Sequence, residues 1–245
     1  MDPKEKTKFI SNWIKSYVEG MPSKAQSLVI GISGGIDSSV SSTLSAMTGL
    51  KTIVLTMPIK QIENQHDLSL KHQNWLVKNF ANVEAHTISL DKLFETFSLT
   101  LGKFDNEHGF ANSRARLRMT TLYQVAAANK GIVVGTGNKV EDFGVGFYTK
   151  YGDGGVDISP IADCNKTEVW ELGKELGILK EIIDAPPTDG LWDDGRTDEG
   201  QLGFSYNELE DAMTNPDSPH KAKYEKIRKQ NLHKMDPIPV CKIPS

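Results

Sequence analysis

A chain of 245 residues with a formal net charge of −4 is long enough to build a sizeable core, as one large domain or two small ones. The acidic balance argues against a nucleic-acid or membrane-surface partner, and no apolar run approaches membrane-spanning length. The two cysteines, Cys164 and Cys241, lie far apart without a Cys-x-x-Cys pair, which disfavours a zinc or redox site and fits a reducing cytoplasm.

The amino terminus, from Met1 to Lys8, has no apolar core of a signal peptide. Residues 4–19 read as an amphipathic helix, with Phe9, Trp13, Ile14 and Tyr17 at helical spacing. Leu28 to Ile32 are apolar and largely β-branched, which suits a strand covered on both faces. Gly34 and Gly35 then permit a sharp turn, and Asp37, Ser38 and Ser39 start a helix that stops at Gly49. A glycine turn feeding the positive end of a helix cradles an anion, most often a phosphate. Strands follow at 52–57 and 83–89, with a helix at 65–80 carrying Leu68, Trp75 and Leu76 on one face. Asp91 caps a short helix to about Leu99, and 102–109 reads as an exposed loop. Asn112 caps a helix reaching Asn129, and 132–135 is a fourth strand.

Strands alternating with helices predict an α/β fold: a doubly wound, Rossmann-like parallel sheet with helices on both faces. Ligands bind such sheets beyond the carboxyl ends of the strands, where Ser33 and Thr136 lie. Beyond Gly137 the pattern changes. Residues 148–157 form a polar glycine loop, and a helix at 165–177 is capped by Asn165 with Glu168 three residues on. Ala185-Pro186-Pro187-Thr188 cannot be regular structure. Residues 189–203 lack periodicity and are expected to be a mobile loop that orders on ligand. Helices at 206–213 and 220–232 precede an extended tail at 236–239.

Several glycine motifs compete for the first loop. It is not a Walker A loop, because Gly102-Lys103 and Gly173-Lys174 continue into Phe104 and Glu175. Its glycine spacing is not that of the dinucleotide fingerprint. Gly31-Ile32-Ser33-Gly34-Gly35 does match the nucleophile elbow of α/β-hydrolases. Little more than one helix and one strand precede Ser33, which leaves no room for that fold's earlier sheet. What remains, Ser33-Gly34-Gly35-Ile36-Asp37-Ser38, resembles the pyrophosphate loop of the N-type ATP pyrophosphatases, which split ATP into AMP and pyrophosphate.

Along nearly its whole length the chain further resembles the ammonia-dependent NAD synthetases. The likeness is carried by Ala115-Arg116-Leu117-Arg118-Met119, Val133-Val134-Gly135-Thr136-Gly137-Asn138, the loop from Tyr148 to Asp157, Pro187-Thr188, Leu202-Gly203 with Tyr206, and His233-Lys234. The resemblance implies one synthetase domain over 1–245 with no glutaminase domain, and a homodimer with its substrate site across the subunit interface. It implies that ATP activates the carboxylate of deamido-NAD as an acyl-adenylate, which free ammonia then attacks. It assigns ATP to Gly31, Ile32, Ser33, Gly34, Gly35, Ile36, Asp37, Ser38, Thr136, Lys166 and Thr188. It assigns Mg²⁺ to Asp37 and Glu141, and deamido-NAD to Arg116, Lys150, Asp157, His233 and Lys234. Asp37, Asp157 and Lys166 would be the catalytic groups, Asp157 holding either the ammonium or the nicotinate end.

Read without that resemblance, Glu141 is an ordinary exposed carboxylate, and Arg114, Arg116 and Arg118 are solvated. The chain departs from the family at Gly137, where an acidic residue usually follows the Gly-Thr pair, and by one residue inserted between Glu141 and Lys150. Another adenylating enzyme of the superfamily, or a non-catalytic adenine-nucleotide-binding module, are the alternatives.

Overall fold

The computed structural model describes residues 1–60, 63–188 and 197–243, with the backbone alone at 63–65. It opens with α1 (Pro3–Gly20), started by Asp2 in a capping box with Glu5. Then come β1 (Ser27–Gly31), α2 (Ile36–Met47), β2 (Thr52–Thr56), α3 (Glu63–Asn79), β3 (Val83–Thr87), α4 (Asp91–Thr100), α5 (Glu107–Ala128) and β4 (Gly131–Val133). Among the described residues these strands form one four-stranded sheet, ordered β3-β2-β1-β4 and parallel throughout. This is the doubly wound α/β architecture that the strand–helix alternation predicts.

Successive strand residues point to opposite faces, so one strand feeds two cores. Leu28 and Ile30 of β1 pack with Ile14 of α1 and with Val40 and Leu44 of α2. Val29, between them, packs on the other face with Ile53, Phe94 of α4 and Ala126 of α5. The central strands β1 and β2 are buried, while β3 forms an edge with most of its residues partly or fully exposed. At the other edge, Val134 bridges to Ile158, so the chain downstream closes against β4.

The second half is built from shorter pieces: α6 (Lys166–Glu175), α7 (Lys180–Ile183), α8 (Asp198–Leu202), α9 (Tyr206–Thr214) and α10 (Lys221–Met235). A third core joins Val140, Val145, Phe204, Tyr206, Leu209 and Tyr224.

Four expectations are corrected here. On α1, Phe9, Trp13 and Tyr17 are 58%, 41% and 44% exposed, whereas Ile10, Ile14 and Val18 are buried. Both triplets repeat every four residues, so spacing alone does not decide which faces the sheet. The helix assigned to begin at Asn112 begins at Glu107, because the Asn106 side chain caps it by accepting from Gly109 N. The segment 102–109 is therefore a short 3₁₀ turn leading into α5 rather than a loop. Of the loop expected at 189–203, residues 189–196 lie outside the described residues, and Asp198–Leu202 is helical, capped by Thr197.

Candidate active site

The carboxyl ends of β1 and β4 open on one cavity of about 260 Å³. Its first wall is the loop from Gly31 to Ser38. Gly34 has φ of +92°, a conformation side chains resist, and this lets the chain double back over its own amides. Hydroxyls fix the turn: Ser33 N donates to Ser38 Oγ at 3.2 Å, Gly35 N to Ser33 Oγ at 3.2 Å, and Ser39 Oγ to Gly35 O at 2.9 Å. Gly35 is the N-cap of α2 and provides no side-chain cap, so the positive helix end faces the cavity.

Opposite stands a π-helical turn, Lys139–Val145. Such a turn carries one residue more than an α-turn. Asn138 caps it, accepting from Val140 N and Glu141 N at 3.0 Å each. The same side chain, fully buried, donates to Asp37 Oδ1 at 3.2 Å and so ties the two walls together. Lys166 is the first residue of α6, which Asn165 and Glu168 start in a capping box. Its ammonium lies 2.5 Å from Asp37 Oδ2 and 2.8 Å from Glu141 Oε1. Tyr206 donates to Glu141 Oε1 at 2.6 Å, and its ring lies 5.1 Å from the Lys166 ammonium.

Burial opposes every charge in this group, and the ions answer one another. Burial lowers Lys166, but Asp37 and Glu141 outweigh it and hold the ammonium above its ordinary range. Burial raises Glu141, but Lys166 and the Tyr206 hydroxyl outweigh it and hold the carboxyl below its ordinary range. For Asp37, burial and the Glu141 charge outweigh the lysine, and its pKa is pushed up. Asp142 is pushed well up by burial and by Asp153, Glu141 and Asp37. Among the described residues no group of three or more His, Cys, Asp or Glu side chains is placed to hold a metal ion. Two carboxylates gathered around one cation nevertheless suit Mg²⁺, which takes one or two protein carboxylates and fills its shell with phosphate oxygens and water.

Of the residues singled out from the sequence, the cavity wall holds Gly31 to Ser38, Thr136, Glu141, Lys166 and Thr188. Arg116, Lys150, His233 and Lys234 meet elsewhere. Arg116 Nε donates to Lys150 O at 3.3 Å, Lys150 Nζ to His233 O at 2.6 Å, and Lys234 Nζ to Tyr148 O at 2.9 Å. They form a second, basic group against the glycine loop. Asp157 joins neither group: it is exposed, and its carboxylate accepts from Val133 N at 2.7 Å and Tyr123 Oη at 3.0 Å, which spends it on the β4 edge. The loop carboxylate on the cavity wall is Asp153.

Sequence reasoning gave no site role to Asn138, Asp142, Asp153, Arg118 or Tyr206, although most of them carry the family likeness. For Arg118 a signal existed: Ala115, Arg118, Met119 and Leu122 line the cavity at helical spacing. Gly137 and Asp142 carried a paired one. A Cβ on Gly137 would meet Asp142 Oδ2 at 1.9 Å, so the Asp142 carboxylate fills the space of a side chain at 137.

A parallel sheet with an anion loop at its carboxyl edge, faced by a carboxylate pair and a buried lysine, defines a nucleotide-binding α/β protein. The family model for NAD synthase matches residues 6–242, and the chain belongs to that family. It is 37% identical over 213 residues to an NH₃-dependent NAD⁺ synthetase of Carboxydothermus hydrogenoformans, covering 84% of this chain and 83% of the relative. Among solved structures, an NMN synthetase from Francisella tularensis superposes with a TM-score of 0.89 at 33% identity, over 99% of this chain and 100% of that one. An NH₃-dependent NAD synthetase from Campylobacter jejuni gives 0.79 at 25% identity, with 99% and 100% covered.

Proposed function

We propose that this chain is an ammonia-dependent NAD synthetase: a C–N ligase that uses ATP to amidate deamido-NAD and releases AMP and pyrophosphate. The observation that carries the reading is the meeting of Asp37, Glu141 and Lys166, from three separate elements, at the mouth of the Gly31–Ser38 loop. The loop amides and hydroxyls hold the pyrophosphate that leaves, and Thr136, Arg118 and Thr188 line the rest of the ATP site. Asp37 and Glu141 would hold Mg²⁺, which when bound would supply neutralisation of the charge that develops on the leaving group. Asp142 and Asp153 put two carboxyl groups on the cavity wall, where they are placed to receive ammonium, and burial with the charges of Asp153, Glu141 and Asp37 holds the Asp142 carboxyl well above its ordinary range.

A cavity of about 260 Å³ falls below the roughly 300–1,000 Å³ of most ligand sites, so the dinucleotide needs a further surface. The basic group of Arg116, Lys150, His233 and Lys234 is that surface in our reading. Beside α5, Leu99 and Phe104 are each 78% exposed, which supports a homodimer through this side. The reading includes a single synthetase domain in the cytoplasm. Cys164 is buried, and burial pushes its thiol up to about 11, which does not suit the nucleophile that glutamine hydrolysis needs. No described helix is long and apolar enough to cross a membrane.

The test supplies pure protein with ATP, deamido-NAD and either ammonium or ammonia-free glutamine, and measures NAD and pyrophosphate. Ammonium alone is expected to support both products; equal rates with glutamine would overturn the reading. The likeness to the Francisella NMN synthetase favours a second reading, in which nicotinate mononucleotide is the acceptor. The ratio of kcat/KM for the two acceptors decides between them.

A further inference from the structure

The Lys166 side chain is 2% exposed, and its ammonium bridges one oxygen of Asp37 and one of Glu141. The remaining oxygen of Asp37 is occupied by the Asn138 amide, and Glu141 Oε1 is shared with the Tyr206 hydroxyl. Both carboxylates therefore already have a cation, seated between them and closed off from water. A divalent ion on the pair must either displace that ammonium from Asp37 Oδ2 or Glu141 Oε1, or sit on the outer oxygens against its positive charge. Moving it away with nothing to receive it would strand a buried charge, which is strongly unfavourable. ATP phosphates bound at the Gly31–Ser38 loop, which contains Asp37, would be an anion able to receive it, and an ammonium–phosphate bond is charge-assisted.

We propose that Lys166 is the resident counterion of the metal site and that it couples metal binding to ATP binding. Without nucleotide, the ammonium satisfies Asp37 and Glu141 and keeps a divalent ion out. With nucleotide, the ammonium transfers to phosphate and the two carboxylates become available. By linkage, ATP strengthens metal binding by the same factor that the metal strengthens ATP binding. The inference rests on the assignment of the metal to Asp37 and Glu141.

The experiment measures Mn²⁺ binding to the full chain by electron paramagnetic resonance, with and without an ATP analogue that cannot be cleaved between its α and β phosphates. Wild type and Asp37→Asn are compared, so that only Asp37-dependent binding counts. Wild type should bind Mn²⁺ about tenfold more tightly, or better, with the analogue present. Lys166→Met should bind Mn²⁺ without nucleotide, and Mn²⁺ alone should raise its melting temperature while leaving that of wild type unchanged. Equal Asp37-dependent affinity in wild type with and without the analogue would overturn the coupling and leave the metal assignment standing. Binding that is indifferent to Asp37 even with the analogue would remove the metal assignment, and this inference with it. The wild-type arm decides the matter even if Lys166→Met folds poorly.

Discussion

Around Gly34 the cavity wall is made of neutral groups that satisfy one another, serine hydroxyls with backbone N–H and C=O. Around Lys166 it is made of charges that do the same, a buried ammonium between two partly exposed carboxylates, with Asn138 joining the two sides. A neutral wall exchanges its internal bonds for phosphate at little cost, because each hydrogen bond is worth only about 0.5–1.5 kcal/mol net. A charged wall cannot lose a member so lightly, because the partner left behind is buried and unpaired. On the proposed assignment, the contrast teaches that binding strength would be spread over the loop, whereas stabilisation of the transition state would be concentrated in a few ions.

The sharpest way to break the contrast is to remove one charge and, separately, one hydroxyl. Asp37→Asn is expected to lower kcat/KM by about a thousandfold, about 4 kcal/mol, in a pyrophosphate-release assay at saturating Mg²⁺. Near-normal activity would show that the charged wall is dispensable. Ser38→Ala should raise the KM for ATP only about fivefold, about 1 kcal/mol, with kcat nearly unchanged.

The neutral wall has a support that must itself stay neutral. Behind α2, the fully buried His72 sits with Nε2 3.0 Å from Ser42 Oγ and stacks on Trp75. Burial lowers its pKa from 6.5 to about 4. Between those values the unfolded chain takes up a proton that the native chain refuses. Stability is therefore full above about pH 6.5 and falls, by about 3 kcal/mol, as pH drops to about 4. Urea unfolding across this range should show the slope in wild type, and His72→Gln should flatten it.

A smaller effect sharpens how Gly137 and Asp142 share space. Gly137→Ala places a methyl group on the Asp142 carboxylate, at an expected cost of about 1–3 kcal/mol. Adding Asp142→Ala should recover most of that loss in melting temperature. If the double variant is no more stable than Gly137→Ala alone, the two residues do not compete.

The sheet half was legible because its forces are local and periodic: apolar runs such as Leu28 to Ile32 and Thr52 to Thr56 have few other uses. Even there, α1 offered two equally spaced stripes, and only packing against β1 chose Ile10, Ile14 and Val18 over the aromatic one. Asn112 has the side chain of a helix cap, but it lies inside α5, and Asn106, read as part of a loop, makes the cap. The second half resisted for a different reason. Lys166 contacts carboxylates 129 and 25 positions away in the chain, and no periodicity encodes such distances. Family likeness supplied those residues. It could not tell that Asp157 is spent on Val133 and Tyr123 while Asp153 faces the cavity.

The exposed edge strand β3 has a bearing on how copies of this chain behave toward each other. An outer strand offers N–H and C=O groups to any passing strand and can seed intermolecular sheets. Here Glu84 and His86, two residues apart and so on one face, set a carboxylate and an imidazole along that edge. Glu84 is 2.9 Å from Lys51 on one side and 2.7 Å from His86 on the other. A second strand docking against β3 would have to strip water from this whole group. The edge is also only five residues long, which limits the ladder a foreign strand could form. The same strand that completes the sheet thus guards the chain against self-templated aggregation at high concentration.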